Sequence, residues 1–223
     1  MKIALVMNDN SYCGREYLSA LRESGIKVDT IVIGRHPEVN ESEEYRCGGL
    51  WTPPPQIALL KEEDVNRFSS LNDNKLKTFL NIRKYDIGIQ GGTGIIRYDI
   101  FGSFRLGMLN FHPGDLPLYR GCSAPEWQLY EGNPVICTCH LIDEGIDSGA
   151  IVRKRKIFQM GEGSYHEMRS LIYPRAAQFM VDVLKNINES DMINATKQHE
   201  EEACYRKYIG EAKIAELKIR MES

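Results

Sequence analysis

Asn110, His112 and Asp147 bring together an amide, an imidazole and a carboxylate, each set among residues that shape backbone rather than fill a core. Asn110 and His112 lie two apart, so on an extended strand their side chains leave the same face. Pro113, Gly114, Pro117 and Gly121 follow, a density that ends regular structure and makes a fixed loop at the strand's end. In α/β sheets that is where ligands collect. The amide can donate to an oxyanion without changing protonation state. The imidazole, with an unperturbed pKa of about 6.5, can accept or relay a proton near neutrality. The carboxylate can orient that imidazole and help to move the proton, directly or through a water. Asn and Asp also serve as plain turn residues; three complementary groups beside a glycine turn favour the chemical reading.

The elements that must position this set are legible from periodicity. Residues 3–7 form a continuous apolar run, the pattern of a strand buried on both faces of a parallel sheet and expected to be central. The polar residues 8–11 offer helix caps, Tyr17, Leu18 and Leu21 recur at helical spacing, and Gly25 ends the helix. A second strand is expected at 28–33. Residues 8–14 hold one glycine and no Gly-x-Gly-x-x-Gly, so dinucleotide binding is unsupported. Residues 35–55 read as a long irregular excursion anchored by Trp51. Asp73 caps a helix with Leu76, Phe79 and Leu80 inward, ahead of a strand at 86–90. The turn Gly91-Gly92-Thr93-Gly94-Ile95-Ile96 lets a flat ligand approach the backbone closely. A short helix at 124–130 carries Trp127. Strands follow at 135–142 and 150–158, the first holding His140, read as a hydrogen-bonded structural histidine. Ser164 and Glu167 make a capping box for a helix with an apolar face from Met168 to Leu184 and a kink expected at Pro174. The charged tail beyond 185 reads as a helix or hairpin on the outside.

Asn-x-His-Pro-(x)3-Pro-x-Tyr-Arg-Gly over 110–121, with Trp127 and the Asp147-Ser148-Gly149 turn, resembles the folate-dependent formyltransferases. The resemblance is convincing over 86–157 and looser over the first strand and helix. It implies an α/β, Rossmann-like three-layer fold with a mostly parallel sheet, a catalytic domain over 1–185 and a small C-terminal extension over 186–223. It also implies transfer of a formyl group from N10-formyltetrahydrofolate to an amine, with no metal. An amine attacking the formyl carbonyl leaves a negative oxygen and a positive nitrogen, the charges that Asn110, His112 and Asp147 are suited to handle. By the same resemblance Thr93, Gly94, Ile95 and Ile96 line the pterin pocket, faced across one cleft by Asp143, Glu144 and Gly145.

Within that family the chain looks closest to the sugar-nucleotide N-formyltransferases, partly through Pro125-Glu126-Trp127. The implied acceptor is a nucleotide-linked amino deoxysugar. It is expected on the side formed by Asn8, Asn10, Tyr12, Tyr119, Arg120 and Trp127, where an arginine could grip a diphosphate and an aromatic could stack on a base. Arg120 and Trp127 could equally serve to hold the proline loop. Methionyl-tRNA formyltransferases carry an additional tRNA-binding domain for which this chain leaves little room. Glycinamide ribonucleotide enzymes use a glycine- and serine-rich phosphate turn where residues 8–14 are bulky, and formyltetrahydrofolate deformylases carry an extra regulatory domain. Glycinamide ribonucleotide or another small amine remains the alternative acceptor, and a folate- or nucleotide-binding protein without turnover the non-enzymatic one. Asp115, where many members have Leu, would favour a cationic or hydroxyl-rich acceptor if it faces the site.

At 223 residues, 42% hydrophobic and 26% charged, the chain is long enough for a sizeable core. A net charge of −3 makes no electrostatic case for nucleic acid or an anionic membrane. The run Arg153-Lys154-Arg155-Lys156 reads as a solvated edge strand. Six cysteines without a secretory signal or a membrane-length apolar stretch point to free thiols and a cytoplasmic location. Cys137 and Cys139 read as small core residues rather than metal ligands. A homodimer is compatible with these features.

Overall fold

The structure is a computed structural model that describes residues 1–8, 11–34, 65–187 and 193–222. Asn10, Trp51 and the excursion over 35–55 lie outside the described residues. Five strands run parallel: β1 (Ile3–Asn8), β2 (Asp29–Ile33), β3 (Val65–Phe68), β4 (Ile87–Gly91) and β5 (Gly107–His112). A short strand, β6 (Arg120–Gly121), precedes β7 (Val135–Leu141), which pairs antiparallel with β5. The next strand, β8 (Ile151–Phe158), pairs antiparallel with β7. The seven-stranded sheet has the order β3-β2-β1-β4-β5-β7-β8, so β1 is interior as expected, although β4 occupies the middle.

Alternation along β1 explains the continuous apolar run. Ile3, Leu5 and Met7 enter the larger core, while Ala4 and Val6 enter the smaller one on the opposite face. The larger core is covered by α1 (Tyr12–Glu23), which supplies Tyr17, Leu18 and Leu21. The smaller is closed by α2 (Asn74–Arg83) through Leu76 and Leu80, and by α3 (Tyr98–Phe101) through Ile100. Further along, α4 (Ala124–Tyr130) packs near β7, and α5 (Tyr165–Lys185) lies beside α1. This is the three-layer α/β arrangement with a mostly parallel sheet.

Local chemistry accounts for the helix ends. Ser11 Oγ accepts from the Gly14 N–H, Asp73 Oδ1 from the Lys75 N–H, and Ser164 with Glu167 completes a reciprocal capping box. The last of these helices runs through Pro174 without interruption. The basic run occupies β8 at the sheet's edge, where Lys154 pairs with Asp115 at 2.5 Å and Arg155 with Asp182 at 2.7 Å. Both Cys137 and Cys139 are fully buried. No described helix is long and apolar enough to cross a membrane.

The tail does more than decorate the outside. Thr196 bridges to Ile151, β9 (Tyr205–Arg206) pairs parallel with β6, and α6 (Glu211–Glu222) packs on α4 and α5. Ile209, Ile214 and Leu217 are buried in the larger core with the strands.

Candidate active site

The end of β5 brings Asn110 and His112 to one face while Phe111 turns the other way, edge-on to Tyr17 and Phe179. The antiparallel register sets His140 of β7 directly opposite Asn110, and directly opposed residues share a face. Their side chains meet: Asn110 Nδ2 lies 3.1 Å from His140 Nε2. His140 Nδ1 is 2.8 Å from the Leu141 carbonyl, so Nδ1 carries the hydrogen and Nε2 accepts from the amide. The second hydrogen of Asn110 Nδ2 points to Asp147 Oδ1 at 3.4 Å. His140 is thus buried and hydrogen-bonded through both ring nitrogens, as expected of a structural histidine, and one of its partners is the Asn110 amide. Its signal was in the strand's alternation: Thr138 and His140 are the polar pair on one face of β7, with Cys137 and Cys139 on the other.

Asp147 is the hub. Its Oδ2 accepts from the Gly121 N–H at 2.9 Å and lies 3.6 Å from His112 Nδ1; its Oδ1 lies 3.6 Å from His140 Nε2. Burial alone would push this carboxyl up, but the imidazoles of His112 and His140 and the Gly121 N–H outweigh it and hold it well below the usual carboxylate range. His112 is set the other way. Burial lowers it below the ordinary imidazole value, against the upward pull of Asp147 and the Tyr119 carbonyl. His112 Nε2 donates to that carbonyl at 2.7 Å, which leaves Nδ1, facing Asp147, as the basic atom. An ionised carboxylate thus stands behind an imidazole that is neutral at pH 7, and an imidazolium formed there would be held between Asp147 and the Tyr119 carbonyl.

The loop after β5 is built around that histidine. A Cβ on Gly114 would come 2.4 Å from His112 Nε2 and 2.6 Å from the Tyr119 carbonyl oxygen, so only glycine fits. Gln128 of α4 accepts from the Asp115 and Ile136 N–H groups and donates to the Pro113 and Ala124 carbonyls, tying the loop to helix and strand. Thr138 Oγ1 donates to the Gly114 carbonyl at 2.6 Å.

A cleft of about 410 Å³ opens from this cluster. The glycine turn, with Gly92, Gly94, Ile95 and Ile96, and the loop with Asp143, Glu144, Gly145 and Ile146 both line it. The turn is held by Gln90, whose Nε2 donates to the Gly94 carbonyl at 2.6 Å, and the loop by Asp143, which accepts from the Gly145 N–H and the Ser148 hydroxyl. Ile95 and Ile146, both among the lining residues, are exposed at 75% and 52%, so apolar side chains on both segments are open to solvent. A further wall comes from α1 and α5: Ser11, Cys13 and Tyr17 against Ile172, Tyr173 and Ala176.

Several expected site residues sit elsewhere. Thr93 is buried and does not line the cleft; Gly92 takes its place. Arg120 is fully buried, its guanidinium committed to Gln198, Glu200 and Tyr205, so it cannot grip a ligand diphosphate. Trp127 donates its indole N–H to the Lys207 carbonyl and is overlaid by Arg206, which anchors the tail. Tyr119 contributes its carbonyl, while its phenol donates to Glu131 and accepts from Asn133. Asn8 ends β1 and Tyr12 begins α1, and neither lines the cleft. Asp115 turns away to Lys154. Of the residues expected to hold the acceptor none among those described faces it, and the wall from α1 and α5 was not read from the sequence.

The chain matches the family model for formyl transferases over residues 1–184. The chain belongs to the formyl transferase family. Curated relatives include methionyl-tRNA formyltransferases of Clostridium perfringens, 29% identical over 102 residues, and Caldanaerobacter subterraneus, 25% identical over 191 residues. These matches take in 45% and 84% of this chain and 33% and 60% of those proteins, so the chain spans only part of its curated relatives' length. Among solved structures, a 4-N formyltransferase from Francisella tularensis superposes with a TM-score of 0.66 at 17% identity, covering 99% of this chain and 87% of that one. A sugar N-formyltransferase from Shewanella gives 0.61 at 17% identity, covering 100% and 89%. Phosphoribosylglycinamide formyltransferase from Streptococcus pneumoniae gives 0.59 at 18% identity, covering 83% and 98%. At these identities the superpositions speak to the fold.

Proposed function

We propose that the protein is an N10-formyltetrahydrofolate-dependent N-formyltransferase whose acceptor is the amino group of a nucleotide-linked amino deoxysugar. The observation that carries the chemistry is the cluster at the end of β5, with neutral His112 backed by ionised Asp147 and the Asn110 amide beside them. The folate derivative supplies the formyl group, and the slot between the glycine turn and the 143–146 loop fits its flat pterin. In this reading Asn110 gives up its longer contact, 3.4 Å to Asp147, to donate to the formyl oxygen as that oxygen gains charge, and keeps the 3.1 Å contact to His140 that orients the amide. His112 Nδ1 takes the proton from the attacking amine and Asp147 steadies the imidazolium. That proton then passes toward N10 as the carbon–nitrogen bond to it breaks.

The acceptor class is supported by the wall opposite the pterin slot. Tyr173 lines the cleft half-buried, over the nearly fully buried Tyr17, Ile172 and Ala176, an apolar floor that suits the methyl-bearing, hydroxyl-poor ring of a deoxysugar better than a phosphoribosyl group. A tRNA acceptor draws no support from the basic run, because Lys154 and Arg155 are already ion-paired. The test is tetrahydrofolate release with dTDP- and UDP-linked amino deoxysugars, glycinamide ribonucleotide and methionyl-tRNA as acceptors. Turnover with an amino deoxysugar at least tenfold above the others is expected. Preference for the ribonucleotide or the tRNA would overturn the acceptor while leaving formyl transfer standing.

A further inference from the structure

The family match ends at residue 184, yet the segment beyond it reaches the main chain of Asp147. Gln198 is 6% exposed and all of its hydrogen-bonding capacity is used. Its Nε2 donates to the Asp147 carbonyl at 2.9 Å and the Gly149 carbonyl at 2.7 Å. Its Oε1 accepts from Arg120 Nε at 3.1 Å and Nη2 at 2.8 Å. Arg120 completes its five donors on the two Glu200 oxygens, at 2.7 and 3.0 Å, and the Tyr205 hydroxyl, at 2.9 Å. The neighbour of Arg120 is Gly121, the residue whose N–H holds the Asp147 carboxylate.

Two backbone features lie at the points this clamp holds. Asp147 has φ of +51°, a conformation that costs a non-glycine residue and persists only where its surroundings enforce it. Gly121, at φ +94°, has no room for a side chain, because a Cβ would stand 2.5 Å from the Arg206 carbonyl oxygen on β9. The tail therefore grips the Asp147 loop from behind through Gln198, and grips the donor in front of it through the β6–β9 ladder.

We infer that the C-terminal segment is a working part of the active site, with Gln198 as a positioning residue that, bridged to Arg120, fixes the Asp147 loop in its catalytic conformation. The inference rests on the proposed role of Asp147. Displacing that carboxylate by even 1 Å from His112 would cost about 10²-fold in turnover.

Gln198→Glu is the discriminating variant. It keeps an acceptor for Arg120 and the side-chain shape, but replaces the two N–H donors to Asp147 and Gly149 by lone pairs facing carbonyl oxygens. Each variant would be assayed with the best acceptor of the panel above, with folinic acid titration for folate affinity and thermal melting for stability. Amide hydrogen exchange would follow residues 143–149 and, as a reference, residues 107–112. The expected result is a kcat 10- to 100-fold lower, tenfold faster exchange in 143–149 only, a lowered melting temperature with the protein still folded, and little change in folinic acid affinity. A kcat within twofold of the parent with unchanged exchange would overturn the inference. So would loss of folding in both Gln198→Glu and Gln198→Ala, which would make Gln198 a scaffold residue. Asp147→Asn is measured alongside: if it retains full turnover, the reading of the site itself fails; if it is inactive while Gln198→Glu is not, only the positioning role falls.

Discussion

At the scale of single residues, the site divides its labour by environment. The same burial that pushes both groups toward neutrality lets His112 stay uncharged, while Asp147 is kept ionised by the donors and imidazoles around it. Replacing Asn110 by Ala should lower kcat by about 10²–10³-fold as an oxyanion donor is lost, and His112→Ala by about 10²–10⁴-fold, with folate affinity changed far less. Steady-state kinetics beside a folinic acid titration check both. His140→Ala should be milder than Asn110→Ala, because His140 orients the amide rather than meeting the formyl group. The pH dependence follows from the direction of the His112 shift. A base with a lowered pKa stays active into mildly acid solution, so the acid limb of kcat/KM should fall below about pH 6.5. The unfolded chain binds that proton more readily than the native one, so stability should decrease as pH drops below about 6.5, with Asp147 adding a further loss below about pH 4. Urea midpoints at pH 7.5, 5.5 and 3 read this out, and a midpoint that rises on acidification would contradict it.

At the scale of elements, the β5–β7 register decides the chemistry. A slip of one residue would put Cys139 or Leu141 opposite Asn110 and turn His140 to the other face. The β5 loop is equally exacting. Gly114→Ala places a methyl group against the His112–Tyr119 contact, so the imidazole or the carbonyl must move. The expected outcome is at least a tenfold loss of kcat with the protein still folded, because the loop lies over the site rather than within either core. Circular dichroism with kinetics checks this, and a Gly114→Ala enzyme with parental kcat would show that the loop yields freely. By contrast, the edge position of β8 explains why four consecutive basic residues are tolerated there: they discourage further pairing, and two of them, Lys154 and Arg155, find carboxylates on the loop and on α5.

At the scale of the whole molecule, tail, sheet and site form one packed body. Leu217 of α6 is fully buried against the larger core, and Leu217→Ala should cost about 2–5 kcal/mol. Because the tail also braces Asp147, such a variant should lose turnover and stability together, a correlation that denaturation and kinetics at matched temperature would reveal. The sequence alone determined what depends on neighbours in the chain: the doubly buried β1 from its apolar run, the caps at Ser11, Asp73 and Ser164, the shared face of Asn110 and His112, and the glycine turns. It did not place β3 or α3, which carry weak periodicity. Tertiary structure decided what depends on distant partners. Arg120 and Trp127 look like ligand-binding residues, but a residue type does not encode whether a tail segment some eighty positions away will occupy it. His140 became part of the site through strand register, Tyr119 through its carbonyl, and Gln198 through the docking of the tail. The physical reason is the same in each case: backbone propensity and side-chain period act over a few residues, whereas buried polar groups are satisfied by whichever partner the completed fold brings within about 3 Å.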